Sequence, residues 1–298
     1  MKYRLGIDMG GTEIKMSILD EQEHAVLQKK FLTNDDPNDP MSWADSLMRA
    51  TDEMLEDFDG ELLSVGVSVP GLNDKACEKI LSMPGRLKGI DTFDWTQLTS
   101  RTSNVRVIND GKAALLGELH SQNFNHVSDV VMLTLGTGVG GAIMIDGKLY
   151  QGARGVAGHI GHICLDWQQE KGITGIPGSF EDSIGNSTIA KRTNGRYTST
   201  YDLVQDVKKY DEFAISVWLE SVRKLAIAIS SINNILDPEM FILGGGILNA
   251  GDELFNPLYA YLKEYQWAPT NEDIKLVPAV NGTWAGSIGA ALLGKSYS

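Results

Sequence analysis

Apolar residues in the first third of the chain fall in short alternating or continuous runs, separated by glycine-rich or acidic gaps. Residues 3–8 and 13–19 predict two strands around Met9-Gly10-Gly11-Thr12. A third strand, 24–32, follows the polar turn Asp20-Glu21-Gln22-Glu23, and the three make an antiparallel meander. The period changes over 41–58, where Trp43, Leu47, Met54 and Leu55 fall near one face of an amphipathic helix. Residues 62–69 return to a buried-strand pattern ending at Pro70-Gly71. A short strand, 105–108, then runs into Asn109-Asp110, with a helix over 111–120 directly behind. This alternation predicts an α/β sheet.

The order then starts again. Residues 129–135 and 139–145 predict strands around Gly136-Thr137-Gly138, and Asp146-Gly147 is a two-residue hairpin turn leading to Lys148–Gln151. The clearest helix, 212–236, carries Ile215, Trp218, Leu219, Val222, Leu225, Ala226, Ile229, Ile232 and Leu236 at spacings of three and four, and Asp237-Pro238 ends it. Met240–Leu243 is a strand followed by Gly244-Gly245-Gly246, and a small-residue helix closes the chain from about 285. Two similar domains are expected, 1–118 and 119–284, with the terminal helix 285–298 a candidate addition to the first.

Composition narrows the class. With 298 residues, 42% hydrophobic and 22% charged, the chain has the make-up of a soluble globular protein with room for two cores. No apolar run approaches the roughly 20 residues that cross a bilayer, and Asp8 falls where a signal peptide keeps its apolar core. A cytoplasmic location is expected. Cys77 and Cys164 are too few for a disulfide framework or a cysteine-rich metal site. A net charge of −13 argues against nucleic acid as partner. Small anions stay open, because backbone N–H groups hold phosphate without a basic surface.

The glycines cluster where such groups are needed. Asp8, Gly10, Gly11, Thr12 and Lys15 surround the first strand-to-strand turn. Glycines there let backbone approach phosphate oxygens, Thr12 adds a hydroxyl, Lys15 adds charge, and Asp8 suits a water-mediated magnesium contact. A tight hairpin needing positive φ reads equally well from this segment alone. Gly136, Thr137, Gly138 and Gly140 repeat the device. Two such turns in equivalent places of two similar halves are expected to face each other across a cleft and grip one polyphosphate. Gly245 and Gly246, just after a strand, suit the flat approach of an adenosine ring or ribose.

Taken together, Gly6–Lys15, the run Asn109-Asp110-Gly111-Lys112-Ala113-Ala114-Leu115-Leu116-Gly117-Glu118, and Leu135–His162 resemble the ROK family (repressors, open reading frames and sugar kinases) of the actin/hexokinase-like superfamily. The similarity covers nearly the whole chain. It implies the actin-like ATPase, ribonuclease H-like fold and an ATP- and Mg2+-dependent kinase acting on a hexose or amino-hexose hydroxyl, most often the 6-hydroxyl. It also implies a homodimer. Asp110 becomes the expected general base, since a sugar hydroxyl is a poor nucleophile until its proton is taken; capping of helix 111–120 is the plainer role for that residue. Asn109, Gly71, His159, His162 and Glu181 become expected sugar contacts.

Two departures stand out. The family's Gly-Glu-x-Gly-His is here Gly158-His159-Ile160-Gly161-His162, which puts imidazole where a carboxylate accepts from the sugar. The family's three zinc-binding cysteines are absent. Aligned back from Glu181, the stretch holds Gly172, Thr174, Gly175, Gly178 and Ser179, so no structural zinc is expected. The departures keep a catalytically impaired sugar-binding protein as an alternative. A sugar-responsive regulator is the other; the first strand starts at Tyr3, leaving no space for a preceding helix-turn-helix.

Overall fold

The computed structural model describes residues 1–296 apart from 37, 57, 84, 125 and 173. Residues 297–298 of the expected terminal helix, and residue 57 of the expected first helix, lie outside the described residues. Two compact units emerge: Met1–His126 with Gln151–Ala157 and Val280–Ser298, and Val127–Tyr150 with Gly158–Ala279.

In the first unit, β1 (Lys2–Met9), β2 (Glu13–Leu19) and β3 (Ala25–Leu32) form the antiparallel meander. Helix α1 (Ser42–Glu56) follows, then β4 (Glu61–Val69), the small hairpin β5 (Leu72–Asn73) and β6 (Ile80–Ser82), and β7 (Val105–Asn109). β4 lies parallel to β1 and β7 parallel to β4, giving the order β3-β2-β1-β4-β7. Alternation places Leu5, Ile7 and Met9 of β1 on one face, where they join Trp43, Leu47 and Met54 of α1 in a core with no exposed surface. Helix α2 (Asp110–Ser121) begins at the end of β7, so the boundary expected near residue 118 falls inside a continuous helix.

The second unit repeats this plan. β8 (Val130–Leu135), β9 (Val139–Ile145) and β10 (Lys148–Leu149) make the meander. The helices α3 (Phe180–Ile184), α4 (Ile189–Arg192), α5 (Thr200–Val207) and α6 (Glu212–Leu236) come next, followed by β11 (Met240–Gly244), α7 (Asp252–Tyr265) and β12 (Leu276–Pro278). The order β10-β9-β8-β11-β12 matches that of the first sheet strand for strand, with β8, β11 and β12 parallel. Helix α6 buries Trp218, Val222, Leu225 and Ile229 against the sheet core and α7. Pro257 sits inside α7 and withholds the N–H that would bond the Glu253 carbonyl. That carbonyl instead accepts the indole N–H of Trp218 at 2.7 Å.

The last helix, α8 (Ala285–Ser296), returns to the first unit and packs on α2, β1 and β4. Its approach to α2 is so close that a Cβ at Gly289 would overlap the Ala113 carbonyl. Among the described residues, no helix is long and apolar enough to cross a membrane.

Candidate active site

In the first unit the chemistry collects where β1, β4 and β7 end. The register sets Asp8 beside Lys15 of β2 and Ser68 of β4. Ser68 donates to Asp8 Oδ1 at 2.7 Å. Burial raises the Asp8 carboxyl, against the pull of that bond and of the Lys15 charge. The β1–β2 turn is braced from within: Gly10 N–H donates to the Glu13 carbonyl at 2.9 Å, and the Thr33 hydroxyl donates to the Gly10 carbonyl at 2.7 Å. Thr12 is exposed at its tip.

Asn109 ends β7 and caps α2. Its Oδ1 accepts the Gly111 N–H at 3.0 Å, and its Nδ2 donates to the Gly71 carbonyl at 3.0 Å. Its own backbone N–H donates to Asn73 Oδ1 at 3.1 Å. The second carboxamide N–H turns to Asp110, and one lone pair of the oxygen is left for a substrate. Asp110, in the first turn of α2, accepts the Gly111 N–H at 2.8 Å and keeps an exposed face. Protein atoms nevertheless crowd its carboxyl. The lost water, with the Asp8 charge adding to it, pushes the group up to about 6 against the bonds from Gly111 and Asn109. Water at the open face screens part of this; the upward direction is what bears on the chemistry.

In the second unit, Gly136 and Thr137 of the β8–β9 turn, Asn186, residues 199–201, Val204 and Gln205 around α5, and Gly246, Ile247, Asn249 and Ala250 line one cavity of about 490 Å3. That is within the roughly 300–1,000 Å3 of small-molecule sites. Gly245 is the neighbour of this lining, and Gly140 follows the turn in β9. Glu181, in the first turn of α3, points its carboxylate at the turn; Oε2 accepts the Val139 N–H at 3.0 Å. A Cβ at Gly138 would overlap that carboxylate, so this glycine serves close approach. The rings of His159 and His162 stack at 5.9 Å, nearly parallel at 8°, and His162 Nδ1 is buried without a hydrogen-bond partner.

The structure thus gathers Asp8, Gly10, Gly11, Thr12, Lys15, Gly71, Asn109 and Asp110 in the first unit. Gly136, Thr137, Gly138, Gly140, His159, His162, Glu181, Gly245 and Gly246 belong to the second. Three features escaped the sequence. Arg86 lies directly on Gly11, where a side chain would overlap its guanidinium, although it stands in a stretch with no pattern. Asn73 is fully buried and holds the Asn109 backbone. The cavity-lining Tyr201, Gln205 and Asn249 sit on segments whose spacing announces nothing. Trp95 is core, 3% exposed and packed against Trp43 and Phe93. Asp94 beside it caps a short helix by accepting from Thr96.

A duplicated five-stranded sheet, with a glycine turn between its first two strands each time, defines a two-domain α/β protein of the actin-like ATPase fold. The chain belongs to the ROK family, whose model matches residues 4–296. It is 27% identical to a glucokinase of Halalkalibacterium halodurans, over 99% of this chain and 95% of that one. It is 30% identical to an N-acetylmannosamine kinase of Vibrio cholerae, over 82% of this chain and 83% of that one. Among solved structures, a ROK hexokinase from Thermus thermophilus aligns with a TM-score of 0.80 at 26% identity, covering 97% of both chains.

Proposed function

We propose that the chain transfers the terminal phosphoryl group of ATP to a hydroxyl of a hexose or amino-hexose, the 6-hydroxyl first among candidates, with Asp110 as general base. That it is a sugar kinase accords with its family and with relatives named as kinases of glucose and N-acetylmannosamine. The observation that carries the finer reading is Asp110 itself. It is a carboxylate at a strand end, open on one face and raised to about 6, so it is a better proton acceptor than an ordinary aspartate while still ionised at pH 7.

The other parts support it. Asn109, fixed by Gly71 and Asn73, has one acceptor to spare for a neighbouring hydroxyl. Glu181, His159 and His162 are the proposed sugar contacts of the second unit, the imidazole at 159 offering fewer acceptors than a carboxylate. The cavity beside Gly136, Thr137 and Gly246 suits a nucleoside, with the glycine turn at its edge for phosphates. Magnesium takes one or two carboxylates and keeps several waters. Asp8 fits this role, because Ser68 occupies only one of its oxygens. The ion would neutralise charge on the phosphates. The assembly proposed is a homodimer in the cytoplasm, the assembly to be read by sedimentation.

A coupled ATPase assay across hexoses and N-acetylhexosamines tests the reading. Turnover stimulated by at least one sugar is expected. No stimulation across the panel, with sugar binding intact, would replace it with a sugar-binding protein impaired in catalysis.

A further inference from the structure

Among the described residues Lys112 is the most enclosed cation, 1% exposed in the first turn of α2 and two residues beyond Asp110. An ammonium has three N–H donors, and here each has a neutral oxygen. Nζ donates to Gln151 Oε1 at 2.6 Å, to the Gly155 carbonyl at 2.8 Å and to Asn73 Oδ1 at 3.3 Å. Among the described residues no carboxylate forms a salt bridge with it. The Asn73 oxygen is shared, since it also takes the backbone N–H of Asn109. Asn109 in turn holds the Gly71 carbonyl.

Resting on the kinase reading above, we propose that Lys112 is a positioning residue for the acceptor side of the reaction. Its ammonium ties the segment 151–157 to Asn73, and through Asn73 fixes the strand end that carries Asn109 and Asp110.

A buried ammonium without a counter-charge costs stability rather than adding to it. Burial lowers this amine to about 8, the nearby Cys77 thiol opposing the shift. The folded value lies below the unfolded one, so the group's contribution improves as pH rises through about 8 and is a cost at neutral pH. A stabilising role is therefore a poor account of it; a geometric one fits. The charged or titratable neighbours are Cys77, whose Sγ accepts from Gln151 Nε2 at 3.2 Å, Asp110 on the same helix, and exposed Arg154 in the 151–157 segment. Deprotonated Nζ has two donors for three oxygens, and the cluster loses a bond.

The test compares the wild type, Lys112→Met and Gln151→Leu by steady-state kinetics from pH 6.5 to 9.5, with melting followed by circular dichroism. Methionine leaves Asn73 Oδ1 and Gln151 Oε1 with other donors, from Asn109 and from Asn73; the Gly155 carbonyl loses its donor, but the cost of the buried charge goes too, so the variant is expected to melt near the wild type. Its kcat/KM for sugar should fall about ten- to a hundredfold at pH 7, the scale of a small misplacement of catalytic groups. KM for ATP should barely move. The wild-type decline of kcat/KM above about pH 8 should be missing from Lys112→Met, and Gln151→Leu should fall in the same direction by less. Unchanged kinetics in Lys112→Met, or equal losses in ATP affinity and melting temperature, would overturn the proposal alone. A flat wild-type profile from pH 7 to 9.5 does so even if both variants fail to fold. A wild type inactive on every sugar removes the kinase reading and this one with it.

Discussion

The carboxylate of Glu181 accepts the backbone N–H of Val139 at 3.0 Å, in space that Gly138 leaves open. The residue proposed to read the sugar thus also fixes the glycine turn at the cavity proposed for the nucleoside. The segment behind it works the same way: the Asn186 and Ser187 N–H groups each donate at 2.9 Å to the carbonyls of Gly136 and Thr137. Arg192 donates to the Gly185 carbonyl at 2.9 Å and holds that segment from below.

Replacing Glu181 by alanine should therefore raise KM for ATP as well as for sugar. A hydrogen bond to a charged group contributes about 1.5–3 kcal/mol, which corresponds to roughly tenfold or more in affinity. Glu181→Gln keeps an acceptor for Val139 and should recover most of the ATP affinity without recovering the sugar. If only the sugar KM moved in Glu181→Ala, the bond to the turn would have no functional weight.

Asp110→Asn should lower kcat by about 10²–10⁴, the usual yield of general base catalysis, with KM for ATP nearly unchanged. The raised carboxyl sets the pH dependence. The ionised form is the active one, so kcat/KM for sugar should climb as pH rises through about 6 and hold until the decline set by Lys112 above about pH 8. The stability sign is opposite. An acid with a raised folded pKa favours the folded state while protonated, and that benefit fades as pH rises through about 6. The neutral asparagine is thus expected to melt no lower than the wild type at pH 7. Near-normal turnover in Asp110→Asn would remove this residue from the chemistry.

Much of the fold is legible in the chain because its strands are short and bounded by glycine, proline or acidic turns. Each strand of both meanders lies within a few residues of its sequence pattern, and α6, with Asp211 as its cap and Asp237-Pro238 at its end, spans Glu212–Leu236. What escaped has a common cause. Helix α7 carries Leu254, Leu258 and Leu262 at regular spacing, but Pro257 interrupts the signal, and only the tertiary bond from Trp218 shows how the helix tolerates it. The site shows the same limit. Asp110 and the glycine turns have local motifs, whereas Asn73, Arg86 and Gln151 act through partners tens of residues away. Lys112 lies within the Asn109–Glu118 motif, yet nothing local announces that it is buried.

Helix α8 gives a stability test remote from the chemistry. Gly289 brings the helix backbone against Ala113 of α2, and a side chain there meets a carbonyl that cannot rotate away. Gly289→Val should destabilise by about 1–3 kcal/mol or more and lower the melting temperature by several degrees. Because α8 also packs on β1 and β4, the strands that carry Asp8 and Ser68, activity should be lost at a lower temperature than in the wild type. An unchanged melting curve would show that the contact between α2 and α8 yields to a side chain without cost.

The segment that holds zinc thiolates in many ROK proteins is here closed by backbone. Phe180 N–H donates to the Ile163 carbonyl at 2.8 Å, Leu165 N–H to the Gly178 carbonyl at 2.9 Å, and Gly172 N–H to the Ile176 carbonyl at 3.0 Å. Ser179, near where a thiolate would stand, instead caps α3 by accepting the Asp182 N–H at 3.1 Å. These bonds shape the segment through groups that do not coordinate zinc, which binds thiolate, imidazole or carboxylate in sets of four. Elemental analysis of the purified protein should find far less than one zinc per chain, and a chelator should leave both the melting temperature and turnover at saturating MgATP unchanged. Stoichiometric zinc, with melting lowered on its removal, would show that His162 recruits ligands that this backbone arrangement keeps apart.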